Sequence, residues 1–135
     1  MRAGSGEREL SSEDERALEL LEARIRQAGF AFATKADLAA VIGDEKRLVS
    51  YLHILTDRGS IVRIASDGFM IAERYRELLD KVKDRLVGGA AVSVGDFKEI
   101  FGFSRKFAVP ILEHLDREGY TRRDGDARRA GRKLG

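Results

Sequence analysis

The sequence predicts a mainly α-helical fold with small β-hairpins, an α+β class, built from one unit that occurs twice. Three observations predict it. Apolar residues recur at helical spacing, capping and stop residues bracket each helical stretch, and the order of helix and hairpin patterns repeats along the chain. The chain has 135 residues, of which 43% are apolar and 36% charged. These proportions are typical of a globular protein with one ordinary domain or two very small ones.

The first unit is predicted to contain three helices and then a hairpin. A capping box at Ser12 and Glu15 opens a helix with Leu18, Leu21 and Ile25 on one face. Thr34 and Asp44 cap the next two helices by the same reasoning. The expected elements are helices ending at Gly29, Gly43 and Gly59, and a hairpin over residues 61–72 that turns at Ser66-Asp67-Gly68.

The second unit repeats this order. A helical stripe ends at Gly88-Gly89, helices capped by Ser93 and Ser104 follow, and a hairpin with its turn at Asp124-Gly125 comes last. Corresponding residues of the two units lie 59 positions apart. The matching pairs are Thr34 and Ser93, Asp37 and Asp96, Gly43 and Gly102, and Asp57-Arg58 and Asp116-Arg117.

Three helices followed by a hairpin form a winged helix, in which the second and third helices are the helix-turn-helix and the hairpin is the wing. We therefore predict two tandem winged-helix domains. The divisions are a flexible leader over 1–11, a first winged helix over 12–72 and a second over 73–135. Because each unit is small, we expect them to pack on each other or to share a helix. Pro110 predicts a kink or a late start in the last helix.

Positive charge is concentrated at the end of the chain. The formal net charge is only +2, but residues 1–97 hold 15 Lys/Arg and 17 Asp/Glu, whereas residues 98–135 hold 10 and 6. Most of the late cations are arginines, whose planar guanidinium suits phosphate oxygens. A basic solvated tail that only keeps the protein soluble is the alternative at this point.

The two units differ where a winged helix usually contacts nucleic acid. The second has Ser104-Arg105-Lys106 at the start of its last helix, and Arg122, Arg123 and Arg128 in the wing. A cationic helix N-terminus suits a phosphate, and Ser104 can cap the helix, bind a phosphate or do both. In a regular strand Arg122 and Arg123 point to opposite faces. The first unit lacks this combination and is interpreted as a scaffold or interaction module.

Other functions find little support in the sequence. Cysteine is absent, the two histidines are far apart, and no phosphate-binding loop, nucleophile elbow or metal-ligand spacing occurs, so we expect a binding protein without a catalytic site, metal or cofactor. The histidines His53 and His114 are expected in packing or surface roles. The phenylalanines Phe97, Phe101 and Phe107 are predicted to be core residues, while Phe103, in the turn, is left open between packing and exposure. The sequence has no signal peptide or membrane span, and we expect a cytoplasmic protein.

The segment from Val94 to Arg128 closely resembles the last winged helix of the bacterial selenocysteine-specific elongation factor family, SelB. The most specific motifs are Ser104-Arg105-Lys106, the run from Ala108 to Glu113, and Thr121-Arg122-Arg123 before Gly125-Asp126. This stretch covers about a quarter of the chain. The segment 12–92 resembles the preceding winged helix in architecture. Phe103 and the polar residues after Arg128 depart from the family pattern.

The resemblance implies that the chain is a C-terminal fragment of a translation elongation factor whose GTPase lies upstream, with GTP bound only there. It implies binding to the selenocysteine-insertion (SECIS) hairpin of selenoprotein mRNA, beside the ribosome in the whole factor. The implied RNA-binding residues are Ser104, Arg105, Lys106, Arg122, Arg123, Gly125 and Arg128. We expect a monomer that does not bind membranes. Two alternative interpretations stay open. The chain is a DNA-binding regulator, or it is an interaction module whose arginines bind an acidic protein.

Overall fold

The computed structural model describes residues 10–133, so nearly all of the predicted leader lies outside it. Between these residues the chain forms six α-helices and six strands, and the helices and the two wing hairpins follow the predicted order. The α+β class is confirmed. The helices are α1 (Ser12–Ala28), α2 (Lys35–Ile42), α3 (Glu45–Asp57), α4 (Ala72–Leu86), α5 (Val94–Phe101) and α6 (Arg105–Glu118). The strands are β1 (Ala33–Thr34), β2 (Ile61–Ala65), β3 (Gly68–Ile71), β4 (Val92–Ser93), β5 (Thr121–Asp124) and β6 (Ala127–Ala130).

Each unit closes with a three-stranded antiparallel sheet. The strand orders are β1-β3-β2 and β4-β6-β5. The two-residue strands β1 and β4 were not predicted. They pair with the second wing strand, through Ala33 opposite Phe69 and Val92 opposite Arg128. These pairings anchor each wing to the residues just before the second helix of its own unit.

The starts of α1, α2, α3 and α5 follow the predicted caps, with a shift of one residue in α1. Thr34 with Asp37 and Ser93 with Asp96 form complete capping boxes, and Asp44 caps α3. The box of α1 lies one residue earlier than predicted, because Ser11 rather than Ser12 accepts the backbone N–H of Asp14. Both serines have acceptable spacing to an acidic residue, so the sequence pattern does not choose between them.

Both wing turns lie one residue away from the predicted Asp-Gly position. The first turn consists of Ser66 and Asp67, with Gly68 already in β3, and the second consists of Gly125 and Asp126. Gly125 has a φ of 65°, which favours glycine there. Of the two outcomes predicted for Pro110, the late start does not occur, since α6 runs through Pro110 from Arg105 to Glu118.

Two apolar clusters form the core. The first lies between α1, α2, α3 and the first wing, with Leu21, Ile25 and Leu55 fully buried. The second is built from α4, α5 and α6 but also includes Phe32, Ile64 and Met70 from the first unit. The expected packing between units is therefore confirmed. None of the helices between residues 10 and 133 is long and apolar enough to cross a membrane.

An aromatic cluster joins the units beside the start of α6. Phe30 packs edge-on against Phe101 with ring centroids 4.9 Å apart, and Phe32 packs against Phe107 at 5.3 Å. Phe103, whose position was left open, is half-buried and packs against Phe101 with ring centroids 5.7 Å apart. The first unit thus supports the helix that carries the predicted RNA-binding side chains.

Candidate nucleic-acid interface

The N-terminus of α6 presents three exposed polar residues to solvent, Ser104, Arg105 and Lys106. Ser104 is the N-cap by its extended backbone, and its carbonyl accepts the N–H groups of Phe107 and Ala108. Its side chain makes no capping hydrogen bond, so the expected cap role of the hydroxyl was wrong. The first N–H groups of α6 and the Ser104 hydroxyl are therefore available to an anion at the positive end of the helix dipole.

Lys106 is exposed at the start of α6 and interacts with groups of both units. Its Nζ stands 5.5 Å from the ring centroid of Phe107, a cation–π distance. Its charge also reaches Asp37 of the first unit. A hydrogen bond from the Thr34 backbone holds the pKa of Asp37 below its usual value, and the charges of Arg24 and Lys106 add to this effect. The first unit therefore contributes to the electrostatic surroundings of the predicted interface.

The second wing carries Arg122 and Arg123 on β5, and both are exposed despite pointing to opposite faces of the strand. Arg123 donates from Nε to the carbonyl of Gly125 at 3.3 Å. The guanidinium thereby folds back over the turn, and the turn residue Gly125 is itself exposed. The side chain of Arg122 makes no hydrogen bond or ion pair to residues 10–133, which leaves the five N–H donors of its guanidinium group to solvent.

Arg128 is the exception in the predicted set, because its side chain is buried. Only 5% of the residue is exposed, and Nε lies 3.1 and 2.9 Å from the two carboxylate oxygens of Asp116. Thr121 donates its hydroxyl to the same carboxylate at 2.6 Å. Sequence reasoning missed Asp116 and Thr121 as the partners of Arg128. The sequence does contain a sign that Arg128 is buried, because the equivalent strand position of the first unit holds Phe69.

The sequence analysis also did not predict the contacts of Arg129. Its Nε donates to Asp124 at 2.6 Å, and its Nη1 donates to the carbonyl of Gly89. The hydrogen bond from Arg129 and its charge hold the pKa of Asp124 below the usual value. Arg129 thus links the wing to the short 3-10 turn over Val87–Gly89. Nothing in local spacing indicates this link, because the two residues are 40 positions apart.

The start of α3 in the first unit corresponds to the start of α6, but it carries different charges. Its recognition-helix start contains Asp44 and Glu45, and Arg47 lies 3.7 Å from carboxylates of both Glu13 and Asp14 on α1. The cation is therefore paired within the unit. Among residues 10–133, no cluster of three or more metal-ligating side chains occurs.

Comparison with known proteins identifies the architecture. A sequence model described as "Elongation factor SelB, winged helix" matches residues 87–130. The mRNA-binding domain of SelB from E. coli, solved in complex with SECIS RNA, superimposes with a TM-score of 0.76 and 28% identity. The match covers 90% of this chain and 99% of that one. The chain is therefore similar to the winged-helix region of SelB over nearly its whole length.

Curated selenocysteine-specific elongation factors are also similar to this chain in sequence. The selenocysteine-specific elongation factor of Escherichia coli (strain K12) is 33% identical over 91 residues, which are 67% of this chain and 15% of that protein. The factor of Desulfomicrobium baculatum is 28% identical over 110 residues, 81% of this chain and 17% of that protein. The chain thus spans less than a fifth of these relatives.

A second solved structure, a bacterial selenocysteine-specific elongation factor EF-Sec, matches with a TM-score of 0.64 and 26% identity. This match covers 92% of the chain and 20% of that factor. The region of SelB that the chain matches is a winged-helix domain and not a catalytic one. All seven residues of the predicted RNA-binding set fall within the segment that the family model covers.

Proposed function

We propose that this chain is an RNA-binding segment of a selenocysteine-specific translation elongation factor and binds a SECIS-type mRNA hairpin through its second winged helix. One observation carries the proposal. The chain covers 99% of the E. coli SelB domain whose structure was solved in complex with SECIS RNA. A similarity over the whole of that domain includes both winged helices rather than one helix-turn-helix alone.

The charge distribution supports this function on independent grounds. An A-form RNA helix hides its bases in a deep groove, so proteins contact the phosphate backbone and the splayed bases of loops and bulges. The second winged helix offers a free helix N-terminus at Ser104 and exposed guanidinium groups at Arg105 and Arg122. A helix end and a cationic hairpin on one small domain can contact phosphates on both sides of a loop.

The proposed contacts are the exposed members of the predicted set. Ser104, Arg105 and Lys106 approach the RNA from the helix, and Arg122, Arg123 and Gly125 from the wing. Arg128 also belongs to this interface, where its role is to hold the wing against α6 through Asp116. The first winged helix acts as a scaffold, since Arg47 is already paired with carboxylates and Phe32 packs against the α6 residue Phe107.

Several wider features are part of the proposal. The domain division between residues 72 and 73 assigns α4, apart from its first residue Ala72, to the second winged helix. The GTPase and its nucleotide belong to an upstream part of the whole factor, and no cofactor binds this segment. The segment acts as a cytoplasmic monomer beside the ribosome. We expect no membrane partner.

The test is a titration of the chain with a SECIS hairpin, an unrelated hairpin and duplex DNA at two salt concentrations. We expect preference for the SECIS hairpin. If about five phosphates are neutralised, the logarithm of affinity should fall against the logarithm of salt with a slope of roughly −3.5 to −4.5. Arg105→Ala and Arg122→Ala should each cost about 1.5–3 kcal/mol of binding free energy.

The matched control is Arg16→Ala, which removes the same charge from an exposed position on α1 in the first unit. Its affinity should stay close to that of the unchanged chain. Equal affinity for the three nucleic acids would refute recognition of the hairpin. Tighter binding to duplex DNA would instead support a DNA-binding regulator, and arginine variants with unaltered RNA affinity would point to an acidic protein partner.

A further inference from the structure

The two winged helices place different side chains at the same core positions. Strand pairing makes the comparison direct, because Phe69 lies opposite Ala33 in β1 as Arg128 lies opposite Val92 in β4. The first residue of the wing is Ile61 in one unit and Thr121 in the other. In the first unit both positions are apolar and buried. In the second they are an arginine and a threonine, and they are buried to the same degree.

The polar residues of the second unit converge on one carboxylate near the end of α6. Arg128 Nε lies within 3.1 Å of both oxygens of Asp116, and the Thr121 hydroxyl lies 2.6 Å from one of them. The corresponding carboxylate of the first unit, Asp57, is exposed at the end of α3. The bonds in the second unit therefore connect both strands of the wing to the recognition helix.

A buried ion pair is not needed to build this fold. The first unit forms the same sheet and helices with Ile61 and Phe69 in these positions. Desolvation of an arginine and a carboxylate offsets much of their attraction, and well-packed apolar residues are often at least as stable. The charged pair restricts the orientation of the wing on the helix, because its hydrogen bonds require a particular geometry. Apolar packing would allow the wing to shift along the helix.

The geometry points to Asp116, Thr121 and Arg128 as a polar bracket that orients the wing on α6. The inference rests on the proposed function: Arg128 is a positioning residue, which acts through Asp116 and not as an RNA contact. Arg123 lies directly opposite Arg128 in the sheet, and Arg122 follows Thr121 in the chain. The bracket thereby sets where the exposed guanidinium groups stand relative to Arg105 at the other end of α6.

The decisive variant is Asp116→Asn, because two explanations predict opposite signs. Removing a negative charge from an RNA-binding domain by itself strengthens attraction to phosphate. Loss of the bracket weakens binding, and we expect about a tenfold loss of affinity for the SECIS hairpin, the size of one charge-assisted hydrogen bond. Thr121→Val removes only the buried hydroxyl and should weaken binding about fivefold, with the charge unchanged.

The matched control is Asp126→Asn, which removes the same charge from the exposed turn of the same wing. This variant should bind as tightly as the unchanged chain or more tightly. Circular dichroism establishes that each variant is folded. If Asp116→Asn does not fold, Thr121→Val and the control decide the question.

Amide hydrogen exchange of the free protein gives a readout that needs no RNA. Exchange in β5 and β6 should accelerate in Asp116→Asn and Thr121→Val, while α5 and the middle of α6 stay protected. Unchanged exchange in the wing, or RNA affinity of Asp116→Asn equal to or above that of the unchanged chain, would overturn the bracket. If the unchanged chain binds no hairpin, the proposed function fails, and wing exchange alone decides whether the bracket exists.

Discussion

Ser93 and Ser104 both occupy the N-cap position, directly before the first residue of a helix, with almost the same extended backbone. Their φ values are −85° and −81°, and their ψ values are both 168°. Ser93 accepts the backbone N–H of Asp96 at 3.0 Å, whereas the Ser104 hydroxyl caps nothing. The third residue of the helix explains part of the difference. It is Asp96 after Ser93 and Phe107 after Ser104, and only the aspartate can accept a hydrogen bond from the backbone N–H of the cap residue.

This contrast predicts separate effects on stability and on RNA binding. Ser93→Ala should lower the free energy of unfolding by about 1 kcal/mol, the usual cost of a lost N-cap. Ser104→Ala should lower it by less than about 0.5 kcal/mol but weaken hairpin binding. Urea unfolding and RNA titration of the same two variants measure both quantities. An equal loss of stability in the two variants would show that Ser104 does cap α6 in solution.

His114 is a second residue whose role depends on burial. It lies within α6, and its Nε2 is 2.8 Å from the hydroxyl of Tyr75 on α4. Burial lowers the pKa of His114 below its ordinary value of 6.5, and the charge of Glu118 opposes that shift without cancelling it. Burial also raises the pKa of Tyr75, so the phenol stays neutral. The pair is thus a neutral hydrogen bond between two helices.

The lowered pKa of His114 predicts a loss of stability in weak acid. As the pH falls through about 6.5, the unfolded chain binds this proton before the folded chain does, so the free energy of unfolding decreases. The decrease can reach about 1.4 kcal/mol per pH unit and ends once the folded state is protonated. Urea unfolding between about pH 7.5 and about pH 5.5 measures it. His114→Gln should reduce this dependence, whereas His53→Gln, at an exposed position, should retain it.

At the scale of elements, the ring of Phe32 packs directly on the first wing and restricts the residue type at the start of β3. Gly68 begins β3 and is buried under the ring of Phe32, and a Cβ at this position would overlap that ring. Phe32 cannot move away freely, since its other neighbour is Phe107 of α6. Gly68 therefore fits a close approach between two elements rather than a left-handed turn.

Two glycine substitutions should consequently have opposite effects. Gly68→Ala should lower the free energy of unfolding by about 1–3 kcal/mol through overpacking against Phe32. Gly95→Ala places a Cβ on the exposed first turn of α5, where the nearest atom is the Ser93 hydroxyl oxygen at 3.7 Å. It should raise the free energy of unfolding by about 0.5–1 kcal/mol. Chemical denaturation of both variants measures the signs, and a stabilising Gly68→Ala would contradict the close packing.

At the scale of the whole molecule, the second apolar cluster draws residues from both winged helices. Phe32, Ile64 and Met70 come from the first unit and pack with Val82 and Ile111 of the second. Arg117 adds a hydrogen bond to the carbonyl of Ile64 at 3.3 Å. A shared core of this kind couples the unfolding of the units, because neither can expose its part without exposing the other's.

We therefore expect one cooperative unfolding transition in differential scanning calorimetry. Phe32→Ala should lower the stability of the whole chain by about 3–5 kcal/mol, as expected for a buried aromatic side chain. Leu20→Ala truncates an apolar residue that is 51% exposed on α1 and should change stability by less than about 0.5 kcal/mol. Two resolved transitions in the unchanged chain would show that the units unfold independently.

Local features were the part that the sequence could predict. Capping boxes, glycine stops and helical periodicity involve residues within a few positions of each other, so the order of elements and the repeat were found from spacing alone. Errors of one residue occurred at Ser12 and at both wing turns, where neighbouring residues satisfy the same local rule. The strands β1 and β4 were missed because two residues carry too short a pattern.

The sequence by itself determined two winged helices, the excess of arginine in the second, and the residues through which it resembles SelB. Only the tertiary structure decided that Arg128 is paired with Asp116 and that Phe32 of the first unit packs against Phe107 of the second. The physical reason is distance along the chain. Spacing reports on neighbours in sequence, whereas burial and ion pairing depend on residues 12 to 75 positions apart that meet only when the core forms.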